Sequence, residues 1–170
     1  MELPKRKRTR LEGYDYGQNG VYFLTLCSKD KEHILSHIVG RGILDAPDIE
    51  LSAYGRCVEA ALGFIHEHNP DIMIDKYVIM PNHVHLLVKV LQTEDGAGGA
   101  SGKPRPTEAA IPKLVSSLKR YTDRMCGAKL WQTGYYDHIV RDEQDYQTRW
   151  KYIDGNPARW AEDEYCESGA

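Results

Sequence analysis

IMIDKYVIMPNHVHLLVKV, residues 72–90, reads as two strands and the turn between them. Ile72 to Met80 and His83 to Val90 are strand-like runs, and Pro81-Asn82 supplies the chemistry of a tight hairpin connection. In the second run His83 and His85 flank Val84, so both imidazoles leave one face of the strand, about 7 Å apart along the chain. One metal ion can bridge such a pair. The same spacing also serves two histidines that are satisfied locally or lie at a surface. Neutral imidazole suits Mn, Zn and other borderline ions, and a phosphate-handling site can draw in Mg with water and substrate oxygens completing the shell.

Working outward, the apolar positions Leu51, Tyr54, Val58, Leu62 and Ile65 recur every three or four residues until Asn69-Pro70, the pattern of an amphipathic helix. Before it, Val21 to Cys27 forms a first strand after the turn-like Gly17-Gln18-Asn19-Gly20. Beyond the hairpin, residues 94–106 (EDGAGGASGKPRP) have almost nothing to bury and read as a mobile loop. Leu114, Leu118, Tyr121 and Met125 then mark a second helix, on which Lys113, Arg120 and Arg124 share a face. That stripe is a candidate contact for a DNA backbone, or an ordinary solvated face. Tyr135 to Arg141 reads as a fourth strand, and Asp142-Glu143 opens a third helix with acidic residues where the helix N-terminus favours them. Its residues Tyr146, Trp150 and Ile153 should face the sheet, and Gly155-Asn156-Pro157 should end it, because the residue before proline is pushed out of the helical region. The expected fold class is α+β, a central antiparallel sheet with helices packed on it.

A chain of 170 residues with 41% hydrophobic residues suits one domain, 1–170. Its net charge of −3 argues against a sequence-independent grip on nucleic acid spread over the whole surface. The charge is uneven: Lys5, Arg6, Lys7, Arg8 and Arg10 make residues 1–10 a flexible basic arm that could meet phosphates or be an ordinary solvated tail, whereas Glu162, Asp163, Glu164 and Glu167 make 161–170 an acidic tail. Cys27, Cys57, Cys126 and Cys166 form no CxxC pair and no disulfide framework. With no run approaching the roughly 18 apolar residues of a membrane span, a cytoplasmic location away from membranes is expected.

Tyr152 and Asn156 lie four residues apart at the end of the third helix, one above the other and off its core face. They could deliver a phenol oxygen and an amide oxygen to a metal on the sheet. Equally, the tyrosine could pack its ring and wet its hydroxyl while the asparagine terminates the helix.

The run Tyr77 to Leu87 (YVIMPNHVHLL) closely resembles the HUH motif of single-tyrosine transposases, a family of IS200-like proteins in which U is a bulky apolar residue. WQTGYYDHIVRDEQDY followed by WKYIDGNP, Trp131 to Pro157, and the opening RTRLEGYDYGQNGVYFLTLC resemble the REP-associated branch of that family. The resemblance spans roughly residues 8 to 160 and implies the ferredoxin- or RRM-like fold of HUH nucleases. It implies His83 and His85 as metal ligands, Asn156 as the third, Tyr152 as nucleophile, and Mg2+ or Mn2+ as cofactor. Members cut single-stranded DNA near hairpins, form a 5′-phosphotyrosine with a free 3′-hydroxyl, and rejoin strands by the reverse step; they work as monomer or homodimer. A domesticated protein that binds hairpin DNA without transposing is the alternative. A water-using phosphohydrolase would need ligands such as Asp75 and Asp137, which fit turn or strand-edge roles better. Tyr135, Tyr136 and Tyr146 are not expected to act as nucleophile.

Overall fold

The two strands around Pro81 pair antiparallel in the computed structural model, which describes residues 20–40, 47–91 and 110–166. The elements in chain order are β1 (Gly20–Cys27), β2 (Ser36–Val39), β3 (Asp48–Leu51), α1 (Ala53–His68), β4 (Ile72–Ile79), β5 (His83–Val90), α2 (Ala110–Cys126), β6 (Tyr136–Val140) and α3 (Glu143–Gly155). Short 3-10 helices occupy Lys29–Lys31 and Pro157–Glu162. The main sheet has the order β4-β5-β1-β6 with every neighbour antiparallel, so the expected α+β architecture is the observed one. The basic arm 1–10 and the loop 94–106 lie outside the described residues.

Period-two alternation sorts the side chains into two layers. Tyr22, Leu24, Leu26, Val84, Leu86 and Val88 point to one face and are buried with Val58, Ala61, Leu62 and Ile65 of α1 and Ile111, Leu114, Val115 and Leu118 of α2. Phe23 and Leu87 point the other way, to Ile153, Tyr146 and Trp150 of α3. Two consecutive residues of β4, Asp75 and Lys76, both reach the α3 side, and the register with β5 slips between Ile74 and Lys76. This is a β-bulge. It moves Val78 and Met80 into the α3 layer although Ile72 and Ile74 belong to the other. The bulged Asp75 accepts a hydrogen bond from the Tyr146 hydroxyl and pairs with Lys89 at 2.7 Å, which ties α3 to the sheet.

Four expectations need correction. Leu51 belongs to β3, not to the first helix, which starts at Ala53 behind the N-cap Ser52, whose hydroxyl accepts from Gly55 N–H at 3.1 Å. The sequence gives no signal for the β2–β3 pair, two four-residue strands of which only β3 alternates polar and apolar residues. On α2 the core stripe runs through Ile111, Val115 and Thr122 beside Leu114 and Leu118, leaving Tyr121 and Met125 exposed; Tyr121 stacks on Phe64 of α1 instead. The third helix ends at Gly155 as expected, but not because Asn156 leaves the helical region: Asn156 keeps helical angles (φ −62, ψ −42) despite the following proline, and the chain runs on as the 3-10 helix Pro157–Glu162. Proline at the first position of that helix has no N–H to satisfy, so the turn tightens without a break.

A candidate metal centre beside a tyrosine

Strand β5 opens with His83, and because β5 is an inner strand both His83 and His85 are sealed under the α3 layer, 0% and 1% exposed. Their ring centroids are 4.5 Å apart. His83 Nδ1 lies 2.9 Å from Asn82 Oδ1. The Asn82 amide nitrogen already donates to the carbonyls of Lys31 and Tyr165, so its oxygen faces His83 as an acceptor and Nδ1 carries the proton. The Nε2 lone pair is thereby left free. His85 Nδ1 is held 2.9 Å from the Thr25 hydroxyl of β1, and Phe23 stacks on its ring at 5.0 Å. Burial pushes the His83 imidazole down to about 4, against the pull of Asp163 and Asn156. His85 is also pushed well down, by burial first and then by His83. Both are neutral bases at physiological pH, the form a metal ligand requires.

Helix α3 brings the second half of the site. Its Asp142 N-cap accepts from Asp145 N–H at 2.8 Å, and Ile153 anchors its far end in the α3 layer. Tyr152, 36% exposed, then sets its ring edgewise on His85 with centroids 5.2 Å apart, and on Phe23 at 5.9 Å. Burial and then the charges of Asp163 and Glu164 raise the pKa of its phenol, partly opposed by Arg149. The hydroxyl is therefore protonated when a reaction begins. Asn156, one turn on, is 2% exposed and donates from Nδ2 to Asp163 Oδ2 at 2.9 Å, which aims its Oδ1 away from that carboxylate.

Among the described residues, the buried side-chain atoms without a hydrogen-bond partner are His83 Nε2, His85 Nε2 and Asn156 Oδ1. A buried polar atom left unpaired costs about 1–3 kcal/mol, so three at one spot imply a common partner. Two imidazole nitrogens and an amide oxygen suit a borderline or hard divalent cation, and the donor set present fits one. The Asn82 and Thr25 contacts are the supports that orient metal-bound histidines elsewhere.

Sequence reasoning did not single out Asn82, Thr25, Asp163 or Tyr165. Asn82 adjoins the motif, and in sequence Pro81-Asn82 carries only the signal of a turn. The segment 161–170 has the composition of an acidic tail, yet through Cys166 it is folded onto the site: the Tyr165 carbonyl accepts from Asn82 at 2.7 Å and its ring lies 4.6 Å from His83. Asp163 offers a carboxylate oxygen that, with a nitrogen of each histidine, forms a set of potential ligand atoms all within 4.8 Å of one another.

The remaining candidates lie elsewhere. Lys113, Arg120 and Arg124 are exposed on α2, the helix covering the opposite face of the sheet. Arg120 and Arg124 line an open cleft of about 610 Å³ together with Lys119, Asp123 and Lys129. Lys5, Arg6, Lys7, Arg8 and Arg10 lie outside the described residues. Tyr146 is committed to Asp75, Tyr135 packs on the α1–α2 layer, and Tyr136 stands 49% exposed on the edge strand β6. Asp137 sits in β6, opposite Leu24, away from the histidines. No helix among the described residues is long and apolar enough to cross a membrane.

No family model matches the chain. It is 29% identical to an uncharacterized protein of Haemophilus influenzae over 171 residues, covering 94% of this chain and 92% of that protein. It is 23% identical over 148 residues to a second H. influenzae protein, provisionally named a REP-associated tyrosine transposase, covering 85% of this chain and 74% of the other. Its fold matches the solved structure of a REP-associated tyrosine transposase bound to a REP hairpin, with a TM-score of 0.57 and 20% identity over 88% of this chain and 74% of that one. The chain thus resembles the REP-associated tyrosine transposases in its motifs and shares their fold.

Proposed function

We propose that this chain is a transposase that cleaves and rejoins single-stranded DNA at hairpin sequences through a 5′-phosphotyrosine on Tyr152. The observation that carries the reading is the convergence of three unpaired buried atoms, His83 Nε2, His85 Nε2 and Asn156 Oδ1, beside the half-exposed Tyr152. Those three residues would hold Mg2+ or Mn2+. A cation bound there supplies neutralisation of a non-bridging phosphate oxygen and support for the departing 3′ oxygen, a contribution of several kcal/mol. Tyr152 Oη forms the new bond to phosphorus and gives up its proton, while the bond from phosphorus to the 3′ oxygen breaks and that oxygen leaves as a hydroxyl. The phenoxide of the tyrosyl ester is itself a good leaving group, so the same residues run the step backwards and rejoin strands. Arg149, whose guanidinium lies 5.5 Å from the Phe23 ring and which bonds Asp145 at 3.1 Å, stands one turn before Tyr152 and fits an incoming phosphate. Hairpin recognition is taken from the transposase that shares this fold, whose structure holds a REP hairpin. As an enzyme acting on DNA it would work in the cytoplasm.

The test is covalent trapping. Hairpin DNA with a single-stranded flank, labelled 3′ of the cut, should remain on the protein after denaturation in the presence of Mg2+ or Mn2+, and label 5′ of the cut should not. Hairpin binding with no adduct under any metal would leave only the domesticated DNA-binding protein.

A further inference from the structure

We infer that Asp163 is a fourth, anionic ligand of the cation, which rests on the metal reading proposed above but assigns a residue that the HUH pattern and its tyrosine helix do not contain. Two imidazoles and an amide carry no charge, and all three side chains are at most 2% exposed. A divalent ion there would keep its full charge in a poorly hydrated site, an unfavourable arrangement without a counter-ion. Asp163 provides it: one of its oxygens and a nitrogen of each histidine lie within 4.8 Å of one another.

The carboxylate is also fixed in place. Its Oδ1 accepts from Tyr165 N–H at 2.8 Å and its Oδ2 from Asn156 Nδ2 at 2.9 Å. Each oxygen keeps a further lone pair. Its backbone is set by the N–H donated to the Trp160 carbonyl at 3.1 Å, and the following residues are tied down where Asn82 donates to the Tyr165 carbonyl. An N,N,O,O set with one carboxylate favours hard cations, Mg2+ and Mn2+, more than the neutral three-ligand set would.

The contact with Asn156 raises a narrower alternative, in which Asp163 only positions the Asn156 amide. A double-mutant cycle on the full chain separates the two, read as Mn2+ affinity by titration calorimetry and by the loss of the free-ion paramagnetic resonance signal. Asp163→Asn should weaken Mn2+ binding by about tenfold or more, the scale of a change to a metal site's supporting residues or greater. In an Asn156→Ala background, where no amide remains to be positioned, Asp163→Asn should still weaken it by a similar factor. Melting without metal shows that each variant is folded, and Asp163→Ser makes the same comparison should the Asn variant unfold. Loss of the Asp163 effect in the Asn156→Ala background, or an unchanged affinity in the single variant, overturns direct ligation while leaving the histidine site standing. A wild-type chain that binds no Mn2+, or that binds it as well after His83→Ala, overturns the metal reading and this inference together.

Discussion

The ring of Tyr152 meets His85 edge-on, 5.2 Å between centroids, so the end of α3 and an inner strand of the sheet share one contact at the candidate metal centre. Tyr152→Phe keeps that contact and removes one oxygen. The variant should fold with near wild-type stability and bind hairpin DNA with unchanged affinity. Cleavage should fall by about ten-thousand-fold or more, as when other covalent nucleophiles are removed. Gel analysis of labelled DNA retained by denatured protein checks it; a Phe variant that still traps DNA would move the nucleophile elsewhere.

How much of this was legible beforehand depends on whether neighbours in the chain or neighbours in space set the signal. The β4–β5 hairpin, the His83–His85 pair and the Tyr152–Asn156 spacing are local and periodic, and they could be read directly. The core face of α2 could not: Tyr121 and Met125 sit at helical spacing from Leu118, but Thr122 turns inward because its hydroxyl accepts from Trp131 Nε1 at 2.8 Å. The bulge at Asp75 is invisible in alternation alone, since it is defined by its partner strand. Asp163 and Tyr165 look like solvated residues of an acidic end until the Asn82 side chain captures the Tyr165 carbonyl, a contact across 83 positions of the chain.

Mn2+ should stabilise the native chain, because the unfolded chain does not present the three ligands together. At a free concentration one hundred times the dissociation constant the gain is about 2.7 kcal/mol. For a chain of this size that raises Tm by roughly 5–10 °C. Differential scanning fluorimetry should show the rise in the wild type, its reversal by a chelator, and no rise in His85→Ala. An equal rise in the variant would remove His85 from the metal site.

Asn82→Ala tests the support of His83 separately from the ligands themselves. It strands the protonated Nδ1 of His83 and releases the carbonyls of Lys31 and Tyr165. Mn2+ affinity should fall about 10–100-fold, as for other supporting residues of metal sites. Stability without metal should drop by about 1–3 kcal/mol for the buried groups left unpaired. Urea melts and metal titration on the same sample read both effects.

Gly55→Ala probes how α1 is seated. A Cβ at this position would lie 2.1 Å from the Leu35 carbonyl oxygen, and that oxygen cannot retreat easily because it also accepts from Ser52 N–H at 3.0 Å while Leu35 N–H donates to Pro81. The helix or the hairpin connection must shift. A loss of about 3 kcal/mol or more is expected in chemical unfolding, at the upper end of overpacking effects. A change below 1 kcal/mol would mean that α1 can move away from the Leu35 carbonyl without loss, so that this contact does not fix its seat.

The α2 stripe separates DNA capture from chemistry, because Lys113, Arg120 and Arg124 are exposed on the helix that covers one face of the sheet whereas Tyr152 and His85 occupy the other. If these cations contact phosphates of a bound hairpin, each one neutralised by Gln should reduce the slope of log affinity against log salt by about 0.9 in duplex or 0.7 in single strand. The triple variant should therefore bind more weakly at low salt and approach the wild type as salt rises. Its effect on cleavage should be confined to the DNA concentration needed. With DNA saturating, the single-turnover rate should match the wild type, since no side chain near the reacting groups has changed. Affinity measured by fluorescence anisotropy across a salt series, with trapping rates on the same substrate, gives both readings. An unchanged salt slope assigns the stripe to solvation alone, and a slower saturated rate would mean that α2 reaches the cleavage site by a route the sheet does not now provide.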